Sequence, residues 1–170
     1  MKAKLFVLVL TPLVAWGLKR HYADARADDL WWVLSPTARL VEVMTGATFE
    51  RVPGEGHFSR ERLFLIEKSC AGINFMIAAF GVLVFALLHR VGTGMSGARL
   101  LGVSLLASYA AAVLVNAARI AGAMWLGPRS AATSMFSAAD VHRVEGIAAY
   151  FGGLVLVSCH AQRLHRGALA

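Results

Sequence analysis

The sequence is short of charge. Only 16% of its 170 residues are Asp, Glu, Lys or Arg, and 58% are hydrophobic, whereas soluble domains carry roughly a quarter of their residues as charges. The apolar residues also cluster in runs instead of recurring at a fixed period. This composition excludes a water-soluble globular domain and predicts an integral membrane protein.

Four stretches have few or no charges, and each is about long enough to cross a hydrocarbon core of roughly 30 Å as a helix. They are Ala3 to Leu18, Ala71 to Leu88, Leu100 to Ala118, and a last stretch that ends at Ser158. The Thr11-Pro12 pair in the first stretch is tolerated in a membrane helix when neighbours satisfy the freed carbonyl. We therefore expect an all-α membrane protein with about four transmembrane helices, forming a single membrane-embedded domain over residues 1–170.

The formal net charge is +7, but the basic residues flank the apolar runs, which suits membrane lipids and not nucleic acid. With a cytoplasmic N-terminus, every Asp and Glu falls outside. The segments after the second and fourth stretches then hold Arg90, Arg99, Arg163 and Arg166 without any acid. That asymmetry follows the positive-inside rule and predicts a multi-pass membrane protein whose segment between the first two stretches is extracytoplasmic.

The outer segment between the first two stretches has its own signals. Ser35-Pro36 is typical of a helix start, and Gly46 of a helix end, which predicts a short helix at the membrane surface. Phe49 to Val52 and Arg62 to Glu67 flank a Pro53-Gly54-Glu55-Gly56 turn. These two runs predict a small β-hairpin.

The sequence also lacks several motifs that redox, metal-dependent or serine-dependent enzymes require. The two cysteines, Cys70 and Cys159, fall at opposite ends of membrane spans, too far apart for the roughly 7 Å that a disulfide allows. No Cys-x-x-Cys pair supplies the dithiol of a four-helix oxidoreductase. No cluster has metal-ligand spacing, no Gly-rich phosphate loop follows a strand, and no serine elbow occurs, so we expect neither a metal nor another cofactor.

Cys70 stands where the charged run Glu67-Lys68-Ser69 enters the second span. A thiol at a helix N-terminus meets the positive end of the macrodipole, which favours the thiolate nucleophile. The alternative is a small buried hydrophobe.

The third span holds Asn116 and Arg119, whose spacing puts both on one helix face. An arginine at the apolar zone costs roughly 2.5–3.5 kcal/mol unless it is paired or reaches the interface, so it usually has a purpose. The alternative is an arginine that extends to the headgroups from a helix end.

The fourth span is expected to begin near Ser137, which places His142 at its outer boundary with Glu145 on the same face. A histidine can carry protons near neutral pH, and a neighbouring carboxylate can fix its tautomer. The alternative is an ordinary interfacial histidine beside a surface ion pair. The alternating helix directions nevertheless bring thiol, guanidinium and imidazole to one side of the membrane, as an acyl-transfer site requires.

These residues resemble the exosortase/archaeosortase family of membrane cysteine transpeptidases. The run from Glu67 to Asn74 is similar to the family's Cys-Ser-Gly signature, and the run from Asn116 to Ile120 is similar to its Asn-x-x-Arg-[Ile/Val] signature. His142, just before an apolar span, resembles the family's histidine. Ala71 stands in place of the usual serine, and the chain is short, like the K-type exosortases.

The resemblance implies that Cys70 is the nucleophile, Arg119 stabilises the oxyanion or thiolate, and His142 is the general acid and base. Asn116, Glu145 and Glu67 are expected to support them. The implied substrate is an exported protein with a C-terminal signature, a transmembrane helix and a basic tail. Two alternatives remain open, a non-catalytic membrane scaffold or assembly factor and a membrane thiol redox protein.

Overall fold

The protein is described by a computed structural model that covers residues 2–92, 95–130 and 138–166, with side chains except at 126–130, 138–143, 145 and 164–166. The fold is mainly helical. Its helices are α1 (Lys2–Asp24), α2 (Trp31–Thr45), α3 (Ile73–Leu87), α4 (Gly97–Ser130) and α5 (Ala138–Arg166), and its strands are β1 (Glu50–Val52), β2 (Gly56–Ser59) and β3 (Phe64–Ile66). Short 3-10 turns precede α2 and α3 and follow α3.

Within the described residues, two helical segments are long and apolar enough to cross a membrane, Lys68–Arg90 and Gly97–Trp125. They correspond to the second and third predicted spans. Helix α4 extends past Ala118, where the third charge-poor stretch ends, to Ser130. Its buried face extends past Ala118 through Ile120, Ala121 and Met124. The expected cap at Ser137 lies outside the described residues.

The chain divides into two compact units, and the first comprises the described residues of Met1–Asp24, Ile73–Ala112 and Gly153–Ala170. In this unit α1 packs against α3. Their shared core consists of Val7, Phe80, Val84, Leu87, Val91 and Leu100. The lysine Nζ of Lys19 donates a 2.7 Å hydrogen bond to Oδ1 of Asn74, which joins the end of α1 to the start of α3.

Helix α1 runs without interruption through Pro12. The hydroxyl of Thr11 donates to the carbonyl of Val7 at 2.8 Å. At Gly97 an added Cβ would lie 2.9 Å from Cγ2 of Val7 and 3.4 Å from the carbonyl oxygen of Ala3. Glycine is therefore what allows the first turn of α4 to approach α1 so closely.

The second unit comprises Ala25–Gly72 and Val113–Gly152. Helix α2 of this unit begins at Trp31, five residues before Pro36, the predicted first residue after a cap at Ser35. The Ser35 hydroxyl lies 3.3 Å from Nε2 of His57 and does not cap the helix. A preceding 3-10 turn, Asp28–Leu30, leads into α2 and replaces the expected cap. The predicted end is confirmed, because Gly46 takes a left-handed conformation and donates its N–H to the carbonyl of Glu42.

The small sheet is a three-stranded antiparallel meander in the order β1-β2-β3, and not a two-stranded hairpin. The Pro53-Gly54-Glu55 turn joins β1 to β2, so Glu50–Val52, within the first predicted run, pairs with residues 56–58 of β2. The second predicted run contributes β3, which pairs with the other edge of β2. Gly56 has a φ of 129°, and an added Cβ would lie only 2.2 Å from the carbonyl oxygen of Ile66. No other residue fits this position without moving the sheet.

Asp28 ties the β1-β2 turn to the start of α2. Its carboxylate accepts a 2.8 Å hydrogen bond from Arg51 and a 2.7 Å bond from the N–H of Gly54. These two bonds and the charge of Arg51 hold the pKa of Asp28 below its usual value of 3.8.

Candidate active site

Cys70 lies in a 3-10 turn, Lys68–Ala71, directly after the sheet. Its backbone N–H donates to the carbonyl of Glu67 at 2.9 Å. Gly72, with a φ of 66°, then separates this turn from α3. Cys70 thus lies in the first turn of the helical segment Lys68–Arg90, at the entry to the second span as expected, but its amide is already paired and the α-helix α3 begins only at Ile73. The side chain is buried, with 8% of its surface exposed.

Glu67 and Ser69 form the polar rim of this turn. The hydroxyl of Ser69 donates to Oε1 of Glu67 at 2.8 Å, and its oxygen lies 3.9 Å from Sγ of Cys70. Since the hydroxyl proton is given to Glu67, the oxygen of Ser69 can accept the thiol proton. Both side chains are exposed. Glu67 thus contacts the thiol through Ser69 and not directly.

Asn116 of α4 is fully buried, with an exposed fraction of 0%. Its amide nitrogen donates a hydrogen bond to the main-chain carbonyl of Cys70. Close packing accompanies the bond, because a Cβ added at Gly72 would lie 3.4 Å from Cβ and Cγ of Asn116. The buried amide thus holds the carbonyl of the cysteine and packs against the glycine that ends its turn.

Two further side chains converge on the amide oxygen of Asn116. Nε of Arg119 donates to it at 3.3 Å, and the hydroxyl of Tyr150 donates to it at 3.0 Å. The guanidinium carbon of Arg119 also lies 5.5 Å from the centre of the Tyr150 ring, a cation-π distance. Arg119 is 8% exposed. Cys70, Asn116, Arg119 and Tyr150 therefore form one connected cluster, which we call the Asn116 cluster.

His142 and Glu145 belong to α5 by their backbone, and their side chains lie outside the described part of the chain. One helical turn after His142 comes Gly146, where an added Cβ would be 3.9 Å from Cδ of Arg119. One turn further comes Tyr150, whose ring contacts Arg119. His142 therefore lies on the same helix as Gly146 and Tyr150, two positions at which α5 meets Arg119, and precedes both.

The cluster joins the main chain of a buried cysteine to a buried guanidinium through a buried amide that hydrogen-bonds to both. Neither Tyr150 nor Ser69 was expected from the sequence. The spacing of Gly146 and Tyr150 at one and two turns after His142 is the signal that could have indicated Tyr150. Over the residues that the structure describes, no group of three His, Cys, Asp or Glu side chains could hold a metal ion.

Both cysteines are free thiols, Cys70 buried and Cys159 exposed. Comparisons with protein-family models, with curated proteins and with solved structures find no match to this chain.

Proposed function

We propose that the protein is a membrane-embedded cysteine peptidase or transpeptidase of the exosortase type, which cleaves C-terminal sorting signals of exported proteins. The observation that carries the proposal is the Asn116 cluster. A fully buried amide bonds the main chain of the cysteine on one side and the arginine on the other. Placing two polar side chains and a thiol together in an apolar fold is costly, and such groupings are common at functional sites.

Four membrane spans are part of the proposal. Besides α3 and α4, the helices α1 and α5 expose many large apolar side chains, which in water would be an aggregation liability and in a bilayer would face lipid. On α1 these are Leu5, Phe6, Leu8, Val9, Leu13 and Trp16, and on α5 they are Val144, Ile147, Phe151, Val155 and Leu156. The positive-inside pattern then directs the Asn116 cluster to the extracytoplasmic side of the bacterial plasma membrane.

In the proposed reaction Sγ of Cys70 attacks the carbonyl carbon of the scissile peptide bond as its proton passes to His142. The carbonyl oxygen becomes an oxyanion, which the guanidinium of Arg119 stabilises. The C–N bond then breaks, His142 returns the proton to the leaving amine, and the acyl group remains on Cys70 as a thioester. An amine or water, deprotonated by His142, attacks the thioester and releases the thiol.

Supporting residues position these groups. Asn116 fixes the backbone of Cys70 and orients the plane of Arg119, and Tyr150 supports the other side of the guanidinium. Glu67 anchors the rim of the turn through Ser69. Glu145 would orient His142.

The test is co-expression with an exported protein whose C-terminus carries a short signature, a transmembrane helix and a basic tail, followed by mass spectrometry of that C-terminus. We expect the wild-type enzyme to remove the tail, and Cys70→Ala, Arg119→Lys and His142→Ala each to reduce cleavage by at least about 10²-fold. The matched controls are Cys159→Ala, Arg163→Lys and His160→Ala, which change the same residue types outside the cluster and should cleave normally.

A second measurement separates catalysis from folding. When hydroxylamine is added, the substrate should carry a hydroxamate at its new C-terminus, because hydroxylamine attacks the thioester carbonyl and releases the thiol of Cys70. A Cys70→Ala protein that still processes the substrate at the normal rate would contradict the proposal and favour a scaffold. Cycling of Cys70 through a mixed disulfide in cells, without cleavage, would favour a thiol redox protein.

A further inference from the structure

A polar cavity of about 220 Å³ lies between α2 and the sheet, within the second unit. On the side of α2, Ser35, Arg39 and Glu42 follow one another at helical spacing and therefore share one face. On the side of the sheet the cavity is lined by Arg51 and His57. None of these residues belongs to the Asn116 cluster. We propose that this cavity binds an uncharged carboxamide group, such as the end of a glutamine or asparagine side chain.

The charges that line the cavity sum to zero. Arg51 is offset by Asp28, whose carboxylate lies 2.8 Å from its guanidinium. Arg39 and Glu42 carry opposite charges. Burial and the charge of Arg51 hold the pKa of His57 below 6.5, against the opposing influence of Glu42, so the ring is neutral at pH 7. A ligand with a net charge would therefore lose water without meeting an uncompensated counter-charge.

The free hydrogen-bonding groups of α2 include both a donor and an acceptor. The guanidinium of Arg39 only donates, and among the described residues it has no carboxylate partner. The carboxylate of Glu42 only accepts, and one of its oxygens takes the N–H of Phe49 at 2.8 Å, which leaves the other oxygen for a ligand. A carboxamide complements both groups, since its carbonyl accepts and its NH₂ group donates. A zwitterion would also complement them, but its two ionised groups are costlier to remove from water than one amide.

The face of β2 that meets α2 has unsatisfied polar atoms. His57 and Ser59 are two residues apart in the strand, so both lie on this face, where Nε2 of His57 is 3.3 Å from the Ser35 hydroxyl. Nδ1 of His57 and Oγ of Ser59 are buried, and neither has a hydrogen-bond partner within the described part of the chain. Buried polar atoms are nearly always paired. A carboxamide can pair with Nδ1 in either tautomer of the ring, because it offers both an N–H and a carbonyl oxygen.

Size and apolar lining set the rest of the ligand. A volume of about 220 Å³ is below the range of roughly 300–1,000 Å³ that drug-sized ligands occupy. Ala38 and Phe49 provide apolar surface for a few methylene groups. The cavity thus fits the amide side chain of a peptide or a small free amide, and the chemistry that these two sources share is a carboxamide on a short aliphatic stem.

The test uses the full-length Cys70→Ala protein in lipid nanodiscs and ligand-observed NMR. Four probes differ only in the side chain, and they are the N-acetyl N-methylamides of glutamine, glutamate, lysine and methionine. Butyramide and glycine are titrated as a free amide and a free zwitterion. We expect the glutamine compound to bind at least about tenfold tighter than the other three side chains, since none of these offers both a donor and an acceptor to α2.

Two variants test the charge balance. Glu42→Gln gives the lining one net positive charge, so the affinity of the glutamate compound relative to the lysine compound should rise by about tenfold or more. The substituted amide still offers an oxygen to the N–H of Phe49. Arg39→Gln gives one net negative charge and should shift the same ratio in the opposite direction. The matched controls are Glu55→Gln and Arg62→Gln, at exposed positions of the same unit that do not line the cavity, and they should leave the ratio unchanged.

The amide probes also distinguish the two sources of the ligand. Tighter binding of the glutamine compound assigns an amide side chain of a peptide, and tighter binding of butyramide assigns a small free amide. The proposal would be overturned by the absence of binding of either amide up to about 50 mM, by equal or tighter binding of the glutamate, lysine or methionine compound, by tighter binding of glycine, or by a glutamate-to-lysine ratio that neither charge variant changes. The protein carries Cys70→Ala throughout, so none of these results depends on the proposed peptidase activity.

Discussion

Asn116→Ala should release the turn that holds Cys70. The substitution removes the donor to the Cys70 carbonyl and the acceptor for Arg119 and Tyr150, all at a fully buried position. A buried carbonyl left unpaired costs about 1–3 kcal/mol, and a lost bond to a charged partner about 1.5–3 kcal/mol. Only the cost of the unpaired Cys70 carbonyl, about 1–3 kcal/mol, acts on the turn that holds Cys70. It corresponds to a roughly 5- to 150-fold larger population of the opened turn.

Alkylation of the thiol reports this opening without any substrate. With Cys159→Ala as background, Cys70 is the single thiol of the chain, and its reaction with N-ethylmaleimide in native membranes is followed by mass spectrometry. When opening is fast and reversible, the alkylation rate scales with the opened population. We therefore expect the rate in Asn116→Ala to rise by about 5- to 150-fold.

Two variants sharpen the result. Asn74→Ala is the matched control, because this asparagine is exposed and its amide oxygen accepts a hydrogen bond from Lys19 of α1. It should alkylate at the background rate. Asn116→Asp keeps the acceptors for Arg119 and Tyr150 but has no donor for the Cys70 carbonyl, so it should also react fast. If a folded Asn116→Ala protein reacted within twofold of the control, the inference that Asn116 holds the turn would be refuted.

Three further predictions concern stability, measured by thermal melting in nanodiscs. Gly56→Ala should destabilise the protein by about 2–4 kcal/mol, because its Cβ would meet the Ile66 carbonyl at 2.2 Å. The control Gly54→Ala has open space around its Cβ and should cost only about 1–2 kcal/mol. Equal losses of stability in the two variants would argue against the clash at Gly56. Gly97→Ala should destabilise by about 1–3 kcal/mol through its contact with Val7, while Gly102→Ala in the same helix, where nothing lies within 4 Å, should be neutral or stabilising. Burial holds the pKa of His57 below 6.5, so the unfolded chain binds the proton more readily, and the free energy of unfolding should fall as the pH drops through about 6.5. In His57→Gln the melting temperature should change less between pH 7.5 and 5.5 than in the wild type. An unchanged pH dependence would contradict this role of His57.

Apolar run length predicted the two membrane-length helices, and Gly46 predicted the end of α2, because both signals are local. The predicted start of α2 was wrong. Ser35-Pro36 is typical of a helix start, but the Asp28–Leu30 turn already leads the chain into the helix at Trp31. Strand β2 was missed since Gly-His-Phe-Ser shows no alternation of apolar residues. The need for glycine at position 56 becomes visible only when the carbonyl of Ile66 is next to it.

The candidate site was likewise predictable from the sequence only where its signals are local. The three-residue spacing of Asn116 and Arg119 predicted their shared face, and the structure places them in hydrogen-bond contact. The bond from Asn116 to Cys70 spans 46 positions and ends on a main-chain carbonyl. Such a bond leaves no trace in the identity of the partner residue, so no sequence pattern could have indicated it.

The geometry of the turn changes how the thiol of Cys70 would be activated. At a helix N-terminus the macrodipole and unpaired amides favour the thiolate, but here Gly72 separates Cys70 from α3 and the Cys70 amide is paired with Glu67. The dipole effect falls off within the first turn of a helix. In the proposed enzyme activation of the thiol must therefore depend on side chains, with His142 as the base that takes its proton. Arg119→Lys keeps the positive charge but not the planar contact with Asn116, so we expect it to be as damaging as removal of the histidine.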